Sequence, residues 1–404
     1  MTNRLSVIPG RAKNFCWYPK YPAILNEPLP AFLAAFFRPW YTADNLSRFE
    51  LTEEDNRVLD GKLRIAPTCY HVLHQVPVMT AHEMNYFYDE GLRTADGSPG
   101  YQILHDSMVP FGLEKLGISQ AMKEKSVDIA LDVQSRTVFF QRARGADLYI
   151  ISGWRNQHTN VWVAPPHIKS LADLKGKRVG ISDFNSIRHW AIQIQLKKAG
   201  LDLERDVEWV RIGVPARLHK QAIRSGRVEC APVPTWDAED LKKEGCNVLV
   251  SPADQYPDGR PERIVAATGR ILEERPDLVK SFLKAMIRAY WFVRDMPKNH
   301  DYINNLEKRL RFISPDPEER VVANSGRTAR DLEAMPFPID GKATGFEDML
   351  KEEERLGELN YQVPPIKEVC AQDLVSEAYQ ELIQRPELQP EYQRVKAIAE
   401  RWGY

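Results

Sequence analysis

The sequence predicts an α/β fold in two lobes, with an N-terminal arm and a C-terminal helical extension. Three observations predict it. Short apolar strands alternate with helical stretches from residue 62 onward, the rhythm of a mostly parallel sheet. That rhythm starts afresh near residue 165, as it does in a second lobe. The chain has 404 residues, more than one ordinary domain needs.

The elements follow in order. Residues 1–60 are rich in proline and aromatics, among them Trp17, Tyr18, Phe36, Phe37 and Trp40, and have no sustained period. So many rings need cover, so an arm packed on the body or on a second subunit is expected, with a homodimer as one expected partner. Leu63 to Ala66 reads as a strand and Met79 to Glu90 as a helix ended by Gly91. Glu114 to Lys125 reads as helix, then Val127 to Leu131 and Leu148 to Ile151 as strands.

In the second lobe, Ser170 caps a short segment, Arg178 to Ile181 forms a strand, and Ser186 to Lys198 forms a helix closed by Gly200. Strands at 207–210, 229–233 and 247–250 alternate with helices at 216–225 and 236–244. Ile264 to Thr268 reads as a strand returning to the first lobe, and a helix starting at Pro276 runs to Arg294. The expected domains are the arm (1–60), lobe 1 (61–164 plus 265–300), lobe 2 (165–264) and the extension (301–404). Charged runs in the extension, such as Lys351 to Arg355, read as solvated helix faces.

Composition excludes several classes. Lys and Arg number 55 against 56 Asp and Glu, and basic tracts such as Lys175 to Arg178 are short, so no nucleic-acid partner is expected. No run reaches the roughly 18 uncharged residues of a membrane span. Five scattered cysteines without a CxxC pair suggest reduced thiols, neither a disulfide framework nor a zinc knuckle. The opening residues lack a run of signal-peptide length, so a cytoplasmic location is expected, or a periplasmic one if a signal was removed.

The run from Ile168 to Ile181, reading Ile-Lys-Ser-Leu-Ala-Asp-Leu-Lys-Gly-Lys-Arg-Val-Gly-Ile, is followed by a polar turn and a helix ending Lys198-Ala199-Gly200-Leu201. With Val127 to Ala130, Ile223 to Ala231 and Glu274 to Phe282, it resembles the nitrate-, sulfonate- and taurine-binding proteins and their thiamine-precursor-synthesis relatives. The resemblance covers about residues 62–295. It implies a type II periplasmic-binding-protein-like fold closing on a small ligand, with an ABC transporter as partner only if the chain is exported. The cysteine-rich motif of the fungal thiamine-precursor enzymes is absent.

Ligands of an open α/β sheet lie beyond the carboxyl ends of the strands, which singles out particular turns. The turn from Ser182 to Arg188 opens a helix and favours an anion, with Asn185 and Ser186 as hydrogen-bonding groups and Arg188 as fixed charge. Simple capping by Asp183 or Ser186 is the alternative. The loop from Thr68 to His74 offers Tyr70 as a contact and His71 as a general acid or ligand contact. His71, His74 and nearby Cys69 have no further ligand at an established spacing, so no metal is expected. Gln134 and Ser135, in the run Asp132 to Arg136, supply polar groups at a strand end. Trp154 and Trp236 could stack on a planar ligand, core burial being the alternative, and Asp237 ends the neighbouring loop.

No Walker loop, dinucleotide fingerprint or nucleophile elbow occurs, and no cofactor is expected. Two functions remain. One is binding of a small, anionic or aromatic carboxylate or sulfonate in the cleft between lobes. The alternative is a cytosolic enzyme on the same fold, such as a cofactor-independent decarboxylase of an aromatic acid, with His71 as proton donor.

Overall fold

A computed structural model describes residues 62–68, 72–104, 127–157, 160–184, 186–213, 216–251, 256, 259–313, 337–355, 359 and 361–402. The arm, and any dimer made through it, lies outside the described residues, as do Tyr70, His71 and Asn185.

Lobe 1 opens with β1 (Leu63–Pro67), α1 (Val72–Glu83) and α2 (Tyr86–Asp89). Next come β2 (Tyr101–Ile103), β3 (Ile129–Gln134), α3 (Ser135–Ala143) and β4 (Leu148–Arg155). The chain then enters lobe 2 with β5 (Asn160–Ala164), β6 (Lys177–Ile181), α4 (Ile187–Lys198) and β7 (Val207–Arg211). It continues through α5 (Ala216–Arg224), β8 (Ala231–Pro234), α6 (Thr235–Lys243) and β9 (Asn247–Val250). It returns as β10 (Arg263–Thr268), followed by α7 (Gly269–Glu274), α8 (Pro276–Arg294), α9 (Met296–Ile313) and α10 (Phe346–Arg355). The last helices are α11 (Ile366–Val369), α12 (Asp373–Ile383) and α13 (Gln389–Trp402).

The lobe 1 sheet has the order β2-β1-β3-β10-β4, with β1 parallel to β2 and β3, and β10 antiparallel to β3 and β4. In lobe 2, β7 pairs with β6 in parallel, and β5 runs antiparallel between β8 and β9. A bridge from Val179 to Cys230 joins these pieces, so the order becomes β7-β6-β8-β5-β9. Each lobe therefore repeats one plan, in which the antiparallel strand is the one donated across the hinge. The strand order of lobe 1 reverses between β1 and β3, which places a ligand crevice beyond their carboxyl ends.

The apolar pattern explains the layers. Leu63 and Ile65 bury toward α1 and α8 on one face of lobe 1, while Ala66 and Ala130 face α3 on the other. In lobe 2, Val179 and Ile181 face Ala191 and Ile192 of α4, and Val161 and Val163 face α5 and α6. Ser170 and Asp173 form a capping box at the turn Leu171–Leu174, as the sequence predicts.

Several boundaries differ from the sequence reading. The first helix begins at Val72, not Met79, because Pro77 is accommodated inside it. It stops at Glu83, where Asn85 takes φ 59°. The strand β5 lies in lobe 2 by its pairing, so the crossing falls before Asn160 and not after Ala164. The extension is no separate layer: Phe337, Val375, Leu382 and Val395 belong to the lobe 1 core with α8.

Candidate functional site

The cleft is built around an irregularity in β3. Pairing with β10 runs Ile264 to Val133 and Ala266 to Ala130, so Leu131 and Asp132 together oppose Val265 in a bulge. Asp132 adopts φ 60°, a left-handed conformation that short polar side chains tolerate best. Thr68 fastens the bulge by donating its Oγ1 to the carbonyls of Leu131 (2.8 Å) and Asp132 (3.1 Å). Arg263 Nη1 donates to the Asp132 carbonyl at 3.1 Å. Backbone strain of this kind clusters at functional sites.

The bulge turns the Asp132 side chain, 2% exposed, into a nest of charge. His74 Nδ1, from the first turn of α1, lies 2.8 Å from Asp132 Oδ2. Arg155 Nη2 and Arg263 Nε lie 3.9 and 4.0 Å from Asp132 Oδ1. Burial opposes ionisation of Asp132, but the charges of His74, Arg263 and Arg155 outweigh it and hold the carboxyl far below the usual carboxylate range. Burial lowers the pKa of His74, Asp132 pulls it back, and Arg155 and Arg263 lower it further. The two side chains thus hold each other in place at the floor of the cleft, with the carboxyl of Asp132 as the ionised partner.

Across the cleft, Arg188 of α4 donates Nη1 to Ser182 Oγ at 2.8 Å. Crowding desolvates its guanidinium and lowers its pKa; Glu262 opposes this and Arg155, a like charge, adds to it. Arg155 at the end of β4 is 4% exposed, its Nε has no hydrogen-bond partner, and its ion pairs to Asp132 and Glu262 are both 3.9 Å long. At that length neither is a hydrogen bond. Arg136 of α3 lies over the Trp190 ring of lobe 2, 4.1 Å from its centroid. Glu353 of α10 sits 3.8 Å from Arg136 and 3.6 Å from Arg260. In this set the guanidiniums of Arg136, Arg155, Arg188, Arg260 and Arg263 outnumber the carboxylates of Asp132, Glu262 and Glu353, so the cleft carries surplus positive charge.

The sequence-predicted residues divide. Gln134, Ser135 and Arg188 stand in or beside the cleft, where Gln134 and Ser135 line a cavity with Trp190 and Glu262. Ser186 is the N-cap of α4: its Oγ accepts from His189 N at 3.2 Å and donates to the Asp183 carbonyl at 2.7 Å, which is the capping alternative. Trp154 is a core residue, 1% exposed, with Tyr290 and Phe337 edge-on to its ring, so it offers no stacking face. Asp237 is 3% exposed and pairs with Lys220 at 2.9 Å inside lobe 2, a correction to its reading as a ligand contact. The side chain of Trp236 lies outside the described residues, with Tyr70, His71 and Asn185.

His74, Asp132, Arg155, Arg263 and Glu353 are site residues that sequence reasoning passed over or left inside longer runs. The signal was positional for three of them: Asp132 and Arg155 sit at the cleft ends of β3 and β4, and Arg263 opens β10. The run Lys351 to Arg355 is not a solvated face throughout, because Glu352 and Glu353 are 8% and 3% exposed. Among the described residues no group of His, Cys, Asp or Glu is arranged to hold a metal ion.

Comparisons with known proteins agree with this architecture. A family model described as NMT1/THI5 like matches residues 74–300. A protein of Brucella abortus (strain 2308) named as a binding protein is 24% identical over 187 residues, covering 46% of this chain. The match spans 56% of that relative, little more than half its length. A periplasmic sulfonate-binding protein from Methylobacillus flagellatus superposes with a TM-score of 0.56 at 14% identity, over 80% of this chain and 96% of that one. The periplasmic nitrate-binding protein of Synechocystis gives a TM-score of 0.53 at 14% identity, over 81% and 90% of the two chains. These likenesses show the two-lobed periplasmic-binding fold that the sequence resemblance implies. No helix among the described residues is long and apolar enough to cross a membrane.

Proposed function

This chain belongs to the NMT1/THI5-like family, and from that premise we propose that it binds a small carboxylate or sulfonate anion between its lobes. One observation carries the reading: Arg155, buried at the hinge side, makes only 3.9 Å ion pairs, while Arg188 of the other lobe is near enough for the two like charges to repel. With five guanidiniums against three carboxylates, the cleft is short of negative charge even with Asp132 and Glu262 in place, and a bidentate oxyanion supplies it. The lobes join through the crossings β4 to β5 and β9 to β10, so an anion held by Arg155 and Arg188 would favour the closed arrangement.

Calorimetric titration with nitrate, methanesulfonate and benzoate tests the proposal. At least one binds the wild type, and Arg155→Ala or Arg188→Ala weakens it by about 10- to 100-fold, the worth of a charge-assisted hydrogen bond. Unchanged affinity in both variants refutes the site.

The His74–Asp132 pair favours a second reading, turnover of the bound acid. In decarboxylation of an aromatic acid the bond to the carboxyl carbon breaks, carbon dioxide leaves, and the ring carbon keeps the electron pair and takes a proton. His74, oriented by Asp132, is the proposed carrier of that proton, the role expected of His71 from the sequence. Proton NMR of 4-hydroxybenzoate with the protein checks this: phenol forms with the wild type and not with His74→Gln, and no phenol with either refutes it for that acid. A receptor role beside an ABC importer requires export, whereas turnover does not. The N-terminal mass of the native protein separates the two locations.

A further inference from the structure

The carboxyl ends of β6 and β7 stay joined beyond the strands themselves. Ile212 N donates to the Ile181 carbonyl at 2.8 Å, and Gly213 N donates to the Ser182 carbonyl at 3.1 Å. Gly213 takes φ 106°, a conformation open to glycine, and its own carbonyl accepts from His219 Nε2 of α5 at 2.7 Å. A carbonyl only accepts, so Nε2 carries the proton. The same Nε2 lies 3.4 Å from Ser182 Oγ, which accepts from Arg188 Nη1 at 2.8 Å. Ser182 and His219 are both buried, so solvent does not loosen these contacts.

His219 is costly as packing alone. Its Nδ1 is buried with no hydrogen-bond partner among the described residues, a desolvation cost that a leucine in the same place avoids. It is also a neutral group beside a cation: burial first, and then the charge of Arg188, push its pKa down to about 4. That neutrality matters. A carboxylate bonded to Arg188 would hold the guanidinium but cancel its charge, whereas a serine hydroxyl backed by a neutral imidazole holds it and leaves the charge for a ligand. Arg188 is held near Arg155 and Glu262, whose charges it feels.

We propose that Ser182 and His219 are positioning residues of the anion site, fixing the guanidinium of Arg188 before a ligand arrives. The inference rests on the reading of Arg188 as an anion-binding group. An arginine side chain has several flexible torsions, and freezing them on binding subtracts from affinity. The bond from Nη1 to Ser182 Oγ, made in advance, removes part of that cost and commits only one of the side chain's N–H donors. His219 fixes Ser182 in turn through Gly213, whose N–H holds the serine carbonyl while its own carbonyl holds the imidazole.

Calorimetry with nitrate, methanesulfonate and benzoate, together with nitrogen-15 NMR of the arginine side chains in the protein alone, tests it. Ser182→Ala weakens binding about 5- to 10-fold, roughly the worth of one hydrogen bond, and Ser182→Thr, which keeps the hydroxyl, stays within about twofold of the wild type. His219→Leu weakens binding by a similar factor, and His219→Gln, whose amide can still donate to Gly213, does not. Adding Ser182→Ala to Arg188→Ala changes the residual affinity by less than about twofold, because the serine acts through the arginine. In the NMR spectra the two Nη signals of Arg188, assigned by their loss in Arg188→Ala, are separate in the wild type and merge in Ser182→Ala as rotation about Nε–Cζ speeds up. If His219→Leu does not fold, the Ser182 variants carry the test. Wild-type affinity in Ser182→Ala, separate Nη signals in that variant, or a loss of affinity that is the same with and without Arg188, each overturns the positioning role and leaves the anion site standing. Absence of binding by all three probes, or full binding by Arg188→Ala, overturns the anion reading and this role with it.

Discussion

Replacing Asp132 by asparagine removes one charge from the centre of the cleft and almost nothing else. Asparagine is as tolerant as aspartate of the left-handed conformation at φ 60°, so the bulge loses no backbone support. What it loses is the counter-charge for Arg155 at 3.9 Å and Arg263 at 4.0 Å. At an effective dielectric near 20, each such pair is worth roughly 4 kcal/mol, and relief from desolvating the carboxylate returns part of the total. Breaking the buried cluster should therefore cost about 3–5 kcal/mol. Thermal unfolding followed by circular dichroism should show a fall of at least about 5 °C.

The pH dependence has a definite sign. A carboxyl held far below its ordinary pKa gives stability that is complete above about 3.9 and is lost only as pH falls toward the lowered value. The gap between wild type and variant should stay constant from pH 5 to 8 and narrow only in strong acid. The uncompensated arginines should also take an anion from solution, so sulfate should stabilise Asp132→Asn more than the wild type, by RT ln(1 + [L]/Kd). A variant melting within about 1 °C of the wild type, with equal response to sulfate, would refute the idea that this carboxylate holds Arg155 and Arg263 in place.

Two other outcomes follow from the cleft and from the close approach of Gly345 to Gly259. His219 donates Nε2–H to the Gly213 carbonyl at 2.7 Å, and burial, with Arg188 adding, pushes its pKa down to about 4. Because the folded state resists protonation, stability should fall by roughly 3 kcal/mol as pH drops from 6.5 through 4, and His219→Gln should flatten that slope in urea titrations. Gly345→Ala places a Cβ against the Gly259 carbonyl at φ 81°. It should cost about 3 kcal/mol or more and weaken anion binding; a melt and an affinity like the wild type's would mean that the two backbones part freely at this point.

Much of lobe 2 was legible because its signals are local. Ser186, the apolar spacing of α4 and Gly200 mark a helix that begins at Ile187 and ends at Lys198 as expected. The strand Asn160–Ala164 was missed, although its unbroken apolar run before Pro165 is the pattern of a strand buried on both faces, as this one is. Missing it moved the lobe boundary. Glu352 and Glu353 misled for another reason: a charged run is solvated unless tertiary partners claim it, and Lys198, Arg136 and Arg260 are 154, 217 and 93 positions away from the carboxylates they meet. Trp154 was ambiguous in principle, since an indole at a strand end serves core or ligand equally well. Asp132 could be placed at a strand end, but the bulge that aims it depends on pairing with a strand from the far side of lobe 2.

The two lobes also differ in when they can be completed during synthesis. Both apolar cores of lobe 2 draw only on residues between Val161 and Val250. The larger core of lobe 1 needs partners from Leu63 to Val395. At ribosomal speeds of about 5–20 residues per second, the inserted lobe can fold on the order of ten seconds before the lobe that brackets it has its last core residue. When lobe 2 is complete, lobe 1 still lacks β10, α8 and the helices that follow, so the sheet face bearing Leu63 and Ile65 is only partly covered, and this is the half of the molecule that nascent-chain chaperones would have to shield.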